Sequence, residues 1–194
     1  AEDGTFWEHC GVRPLSIARA FCQNVFYRRR ISGASTLSMQ TVRLIEPHKK
    51  SYWLKWVEAI KALKMERAKS KEWIISQYLN RAPFGSNFIG IEAAAQGWFA
   101  RGAKELGPGE AAFLAGMVQA PSRFRPDRHY ERAEKRRDYV LSRMLECGYI
   151  TQEQLEGAKS VRPEVSRAKR PFKHPYYCDW FVREELPKRY GDGV

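Results

Sequence analysis

Apolar residues recur at helical spacing along most of the chain. Leu15, Ala18, Phe21, Cys22 and Val25 follow Pro14, a residue suited to a first helical turn, and would share one buried face. Trp53, Trp56, Val57, Ile60 and Leu63 repeat the spacing and predict a second helix buried through that stripe. Ser70 can cap a third, which carries Trp73, Ile74, Gln77 and Tyr78. The Ala-rich run from Gly90 to Phe99 reads as a short helix, and Pro108 opens another that reaches Val118. Tyr130 to Glu146 is charged and amphipathic and is stopped by Gly148. Thr151 and Gln154 form a capping-box pattern for a last helix to about Lys159. No sustained period-two alternation interrupts this series. The pattern predicts an all-α domain with little or no sheet.

With 194 residues, 43% of them hydrophobic, the chain can bury one sizeable core, so residues 1–160 are expected to form one domain. From Val161 the character changes. Pro163, Pro171, Pro175 and Pro187 among many basic residues read as a linker, or the start of a further domain, over 161–194. The longest apolar run, Ala111 to Ala115, is far short of the roughly 20 residues that span a bilayer. The N-terminus carries no signal-peptide pattern.

The net charge of +12 attracts anionic partners, whether phosphate, nucleic acid or acidic lipid headgroups. Phe21, Val25, Phe26 and Tyr27 beside Arg28-Arg29-Arg30 pair apolar surface with cations, as interfacial segments do. The four cysteines and four histidines show no ligand spacing, and no metal site is expected from them.

Candidate chemistry is concentrated early in the chain. Glu2 and Asp3 are paired acids near Phe6 and His9; read alone they are solvated charge, and His9 alone is a structural histidine. Ser35 and Thr36 lie in a Gly-turn-plus-cap sequence opening a helix, whose free N–H groups also suit phosphate. Lys55 and Glu58, three apart, share a helix face, which reads alone as an ion pair that could extend to Lys61.

Taken together, five ordered motifs change this picture. EDGTFWEHCG, GASTLSMQ, LKWVE, YLNRAPFGSNFIGIEAAA and LAGMVQAPSRFRP resemble the peptidoglycan glycosyltransferases, family 51, over roughly the first three quarters of the chain. The first pattern, E-D-x-x-F-x-x-H-x-G, is filled by Glu2, Asp3, Phe6, His9 and Gly11. In G-x-S-T-x-x-Q-Q, Gly33, Ser35, Thr36 and Gln40 match while Met39 replaces a Gln. In R-K-x-x-E, Lys55 and Glu58 match while Leu54 replaces the Arg. The Met39 departure and the phrase NRAPFG point to the 1C branch of the class A penicillin-binding proteins.

The resemblance implies a lysozyme-like all-α fold and polymerisation of lipid II, with inversion and release of undecaprenyl diphosphate. It implies Glu2 and Glu58 as catalytic carboxylates, Glu2 as the base. Asp3, Phe6, His9, Ser35, Thr36, Gln40, Arg43, Lys50 and Lys55 are implied to bind substrate, with Arg43 and Lys50 covering the charge lost at Leu54. No cofactor is required, and a divalent cation is allowed at the diphosphate. Expected partners are lipid II, the growing glycan chain, the bacterial inner-membrane surface and cell-wall synthesis proteins. The expected location is the periplasmic face of that membrane, with an anchor preceding an N-terminally truncated domain.

Three rivals are weighed against this. A nucleic-acid module would gather its cations on one recognition face, but here they fall in separate segments, so no nucleic-acid partner is expected. A glycan hydrolase would need no diphosphate clamp. An inactive cell-wall scaffold is the rival that the Met39 and Leu54 departures keep open.

Overall fold

A computed structural model describes residues 2–13, 35–48 and 51–165. The helix read from Pro14, the basic cluster at Arg28, Lys50, and everything from Ser166 onward lie outside the described residues. Those residues contain seven α-helices and one 3-10 turn: α1 (Leu37–Ile45), α2 (Tyr52–Ala68), α3 (Lys71–Arg81), α4 (Ile91–Phe99), the turn Ala103–Glu105, α5 (Pro108–Met117), α6 (Pro126–Glu146) and α7 (Gln152–Ser160). Among the described residues there is no strand, only an isolated antiparallel bridge between Pro83 and Ile89.

Three of the seven described helix starts carry a side-chain N-cap. Ser70 accepts from the Trp73 amide, Thr36 from that of Met39, and Thr151 forms its capping box with Gln154. The long α6 differs slightly from expectation. Its regular part does begin at Tyr130, but a preceding turn starts at Pro126 and is separated from it by non-helical His129.

The main core gathers Ile74 and Tyr78 of α3, Phe84 and Phe88 of the following loop, Trp98 of α4 and Phe113 of α5. Trp98 is fully buried, meets Phe88 edge-on at 5.2 Å, and donates its ring N–H to the Phe84 carbonyl at 3.0 Å. Gly97 lies beneath the Phe88 ring, where a Cβ would come within 2.3 Å of it.

The face on which α2 packs contradicts the hydrophobic stripe. Trp53, Trp56 and Ile60 are 74%, 63% and 53% exposed, while Glu58, Ala59 and Ala62 are buried. Ala59 and Ala62 let α2 approach α1 closely, and Met39 and Val42 fill the space between them. Met39 is 1% exposed, so the residue replacing the family's amide is an apolar filler of this seam. No described helix is long and apolar enough to cross a membrane.

The segment after α7 folds back on α6. Tyr130 donates its hydroxyl to the Pro163 carbonyl at 3.1 Å, Arg137 donates to that of Val161 at 3.2 Å, and Val165 packs on the main core.

Candidate active site

The first motif has no regular structure of its own and takes its shape from α1. Asp3 Oδ2 accepts from the Leu37 amide, at the start of α1, at 3.1 Å, and from His9 Nε2 at 2.8 Å. The carboxylate thereby meets the positive end of the helix dipole. The Gly11 amide donates to His9 Nδ1 at 2.9 Å, which leaves the ring proton on Nε2, facing Asp3. Thr36 caps α1 and also donates its hydroxyl to the Gly11 carbonyl at 2.6 Å.

Below this layer, Glu66 accepts from the Ser38 hydroxyl and from Lys71 Nζ at 2.7 Å. Lys71 also donates to the His9 carbonyl at 2.5 Å and lies 4.6 Å over the Phe6 ring. Gly11 is required at this joint. Its φ is +99°, and a Cβ would lie 2.8 Å from Glu66 Cγ and 3.0 Å from the Ala62 carbonyl oxygen.

Two carboxylates then stand along α1. Glu2 is exposed; its Oε2 accepts from Gln40 Nε2 and from the Tyr78 hydroxyl, each at 3.3 Å. Glu58 is 5% exposed and is held by Arg43 Nε at 3.1 Å and His48 Nε2 at 3.0 Å. Gln40 and Arg43 are three apart and so occupy one face of α1. Burial first, and then the charge of Glu2, pushes the Tyr78 hydroxyl far above its ordinary range, so Tyr78 stays protonated and remains a donor to Glu2.

His48 Nδ1 lies 3.0 Å from the Glu46 carbonyl oxygen while Nε2 faces the Glu58 carboxylate. Both neighbours are acceptors, so His48 bridges the α1 C-terminal loop and the Glu58 carboxylate. A cavity of about 150 Å³ opens beside this cluster, lined by Val42, His48, Leu54, Val57, Glu58 and Lys61 among others. Leu54 therefore faces the site through its apolar side chain, and the cations nearest Glu58 come from α1 and its C-terminal loop.

The expected substrate contacts divide into two groups. Asp3, Phe6, His9 and Thr36 are buried or nearly so and engaged with one another or with α1 and α3. Gln40 and Arg43 are half-buried and Lys55 is exposed; Ser35 is half-buried just before the cap. Lys55 precedes Glu58 and Ala59 by three and four positions and so shares their side of α2, opposite Trp53 and Trp56. Glu58 is held by Arg43 and His48, and Lys61, to which the expected pairing could extend, pairs with Glu46.

Sequence reasoning missed Tyr78 and His48 as site residues. Tyr78 reads as an ordinary core position on α3. Only the Pro47-His48 pair just beyond α1 hinted at the other.

The chain is similar to known proteins over most of its length. Residues 1–145 match the family model described as Transglycosylase. Penicillin-binding protein 1C of Escherichia coli K12 is 46% identical over 193 residues, covering 100% of this chain and 24% of that protein. Penicillin-binding protein 1A of Aquifex aeolicus is 38% identical over 192 residues, covering 98% of this chain and 26% of that protein. The chain thus spans about a quarter of the length of these curated relatives. The crystal structure of penicillin-binding protein 1A from Haemophilus influenzae superposes with a TM-score of 0.53 at 27% identity, over 84% of this chain and 21% of that one. The helical domain has the lysozyme-like fold that its motifs imply. By the family model that matches most of its length, the chain belongs to the transglycosylase family.

Proposed function

We propose that this domain polymerises lipid II into glycan strands. The observation that carries the reading is the pair of carboxylates hung on one face of α1, Glu2 through Gln40 and Glu58 through Arg43. Glu2 is the exposed member and takes the proton from the acceptor sugar's 4-hydroxyl. The oxygen bonds to the donor's anomeric carbon with inversion as the bond to the diphosphate breaks, and undecaprenyl diphosphate leaves with the electron pair. Tyr78, fixed as a donor, orients Glu2. Arg43 and Lys55, with Lys50 from outside the described residues, offset the charge that grows on the leaving diphosphate. Glu58 orients Arg43. A divalent cation at this point would take ligands from the phosphate oxygens; among the described residues no group of three His, Cys, Asp or Glu side chains is arranged to hold one.

The substrate's lipid tail requires a membrane, and the outward face of α2 suits one. Trp53, Trp56 and Ile60 are exposed apolar side chains at interfacial spacing. This reading puts the domain at the periplasmic face of the bacterial inner membrane, among other cell-wall synthesis proteins.

The test is glycan synthesis from labelled lipid II by the full-length anchored protein, comparing wild type with Glu2→Gln. Polymerisation by wild type that the substitution abolishes supports the reading. A folded, anchored wild type that is inert on lipid II makes the domain a scaffold instead. Trp53→Ala with Trp56→Ala should weaken binding to anionic liposomes; unchanged binding removes α2 as the membrane face.

A further inference from the structure

Outside the site, one flank of α6 is basic and borders a shallow depression. Arg132, Lys135, Arg136 and Tyr139 are spaced i, i+3, i+4 and i+7, which places them on one side of the helix. Arg123 and Phe124, from the turn between α5 and α6, complete the rim of a shallow, open depression of about 290 Å³. The lining is four cations and two aromatic rings, with no carboxylate.

Most of the nearby acids are paired with other cations, while Glu131, four positions before Lys135, forms no ion pair among the described residues. Asp127 binds Arg125 at 2.6 Å, Arg137 takes Asp138 at 2.8 Å and Glu134 at 3.8 Å, and Glu146 binds Arg143. Among the described residues, none of Arg123, Arg132, Lys135 and Arg136 is in an ion pair.

An ordinary solvated basic face would leave its guanidinium groups free to move. Arg136 is not free. Its stem lies on Gly116 of α5, where a Cβ would come within 2.9 Å of Arg136 Cγ. Its guanidinium stacks 4.8 Å from the centre of the Tyr139 ring, and its Nε is buried without a hydrogen-bond partner. Across the depression, the Arg123 guanidinium lies 5.8 Å from the Phe124 ring. Aromatic faces hold arginine while leaving its edge donors open to an acceptor. Like charges gathered from two elements repel one another, and a ligand bearing several negative oxygens relieves that repulsion. Arginine forks match phosphate oxygens two at a time, and a single carboxylate would offset only one of the four charges.

We propose that this groove is a second anion site that binds a phosphate-bearing group, either a free diphosphate or a phospholipid headgroup. None of its lining residues contacts Glu2 or Glu58, so the proposal stands apart from the catalytic reading.

The test uses the full chain with inorganic pyrophosphate, followed by calorimetry, and vesicles containing phosphatidylglycerol, followed by sedimentation. Wild type is compared with Arg132→Ala/Lys135→Ala, whose side chains are exposed, and with Lys55→Ala as a control at the other site. Removing two groove cations should weaken binding about 30-fold, or about fivefold per cation, with an unchanged melting temperature. The Lys55→Ala protein should keep the groove component. Loss of pyrophosphate binding identifies a soluble anion, and loss of vesicle binding alone identifies a lipid headgroup; both support the site. Equal behaviour of wild type and the double variant towards both probes, at matched salt, overturns it.

Discussion

Around Trp98 the protein is joined by apolar contact, with aromatic rings from α4, α5 and the Phe84–Phe88 loop buried against one another. Around Glu2 and Glu58 it is joined by directed bonds: Asp3 to the α1 amide, Thr36 to Gly11, Lys71 to the His9 carbonyl, Arg43 to Glu58. Apolar contact tolerates small shifts, because its strength follows the area covered. A hydrogen bond weakens steeply once its geometry is lost. The region expected to do chemistry is therefore the one whose geometry is most tightly specified, and the aromatic region supplies the free energy that keeps it folded.

Substitutions on either side should separate these two roles. The largest effect is expected from Glu2→Gln, which keeps shape and removes basicity. Glycan synthesis should fall by about 10²–10⁴-fold while the thermal melt stays put; a melt that collapses with the activity would show that Glu2 is structural. Trp98→Ala should do the reverse. Emptying its site and leaving the Phe84 carbonyl without its donor should cost roughly 3–5 kcal/mol in urea unfolding, whereas residual folded protein should retain activity.

Asp3→Asn tests the directed bonds themselves. It keeps the volume but weakens two charge-assisted contacts, so a loss of roughly 1–3 kcal/mol is expected, read from the same unfolding curves. An unchanged midpoint would mean that the first motif is not fastened through Asp3.

The smallest effect at neutral pH is expected from Tyr78→Phe, and its sign depends on pH. The hydroxyl's pKa is raised in the folded state from an ordinary 10.0, so Tyr78 contributes its full stability below pH 10 and loses it as pH rises further, when the unfolded chain ionises first. Wild type should be the more stable of the two at pH 8, and the gap should narrow or reverse above pH 10. A gap independent of pH would remove Tyr78 as a buried neutral donor.

Much of this architecture was legible because its signals are local. Ser70, Thr36 and Thr151 announce helix starts within three residues of themselves. The packing face of α2 was not legible, because two stripes competed for burial. Trp53, Trp56 and Ile60 carry the larger hydrophobic area, but Ala59 and Ala62 allow close approach to α1, and close approach decided it. The site was legible as a set of residue types and motifs but not as a set of bonds. Tyr78 reaches Glu2 across 76 positions and the Leu37 amide reaches Asp3 across 34, separations that no window along the chain can contain. Met39 and Leu54 read as losses in the motif; in the fold, one fills the α1–α2 seam and the other lines a cavity.

The placement of Gln40 and Arg43 on α1 has a consequence for how such a domain can vary. The two residues keep their carboxylates in phase only because the helix advances by a fixed angle per position. One residue inserted between them would swing Arg43 about 100° around the axis and point it away from Glu58. Side chains along α1 can be exchanged, as Met39 illustrates, but its count cannot. A change of length that keeps this geometry would have to fall in the loops on either side, and α1 acts as the clockwork that sets where the two acids stand.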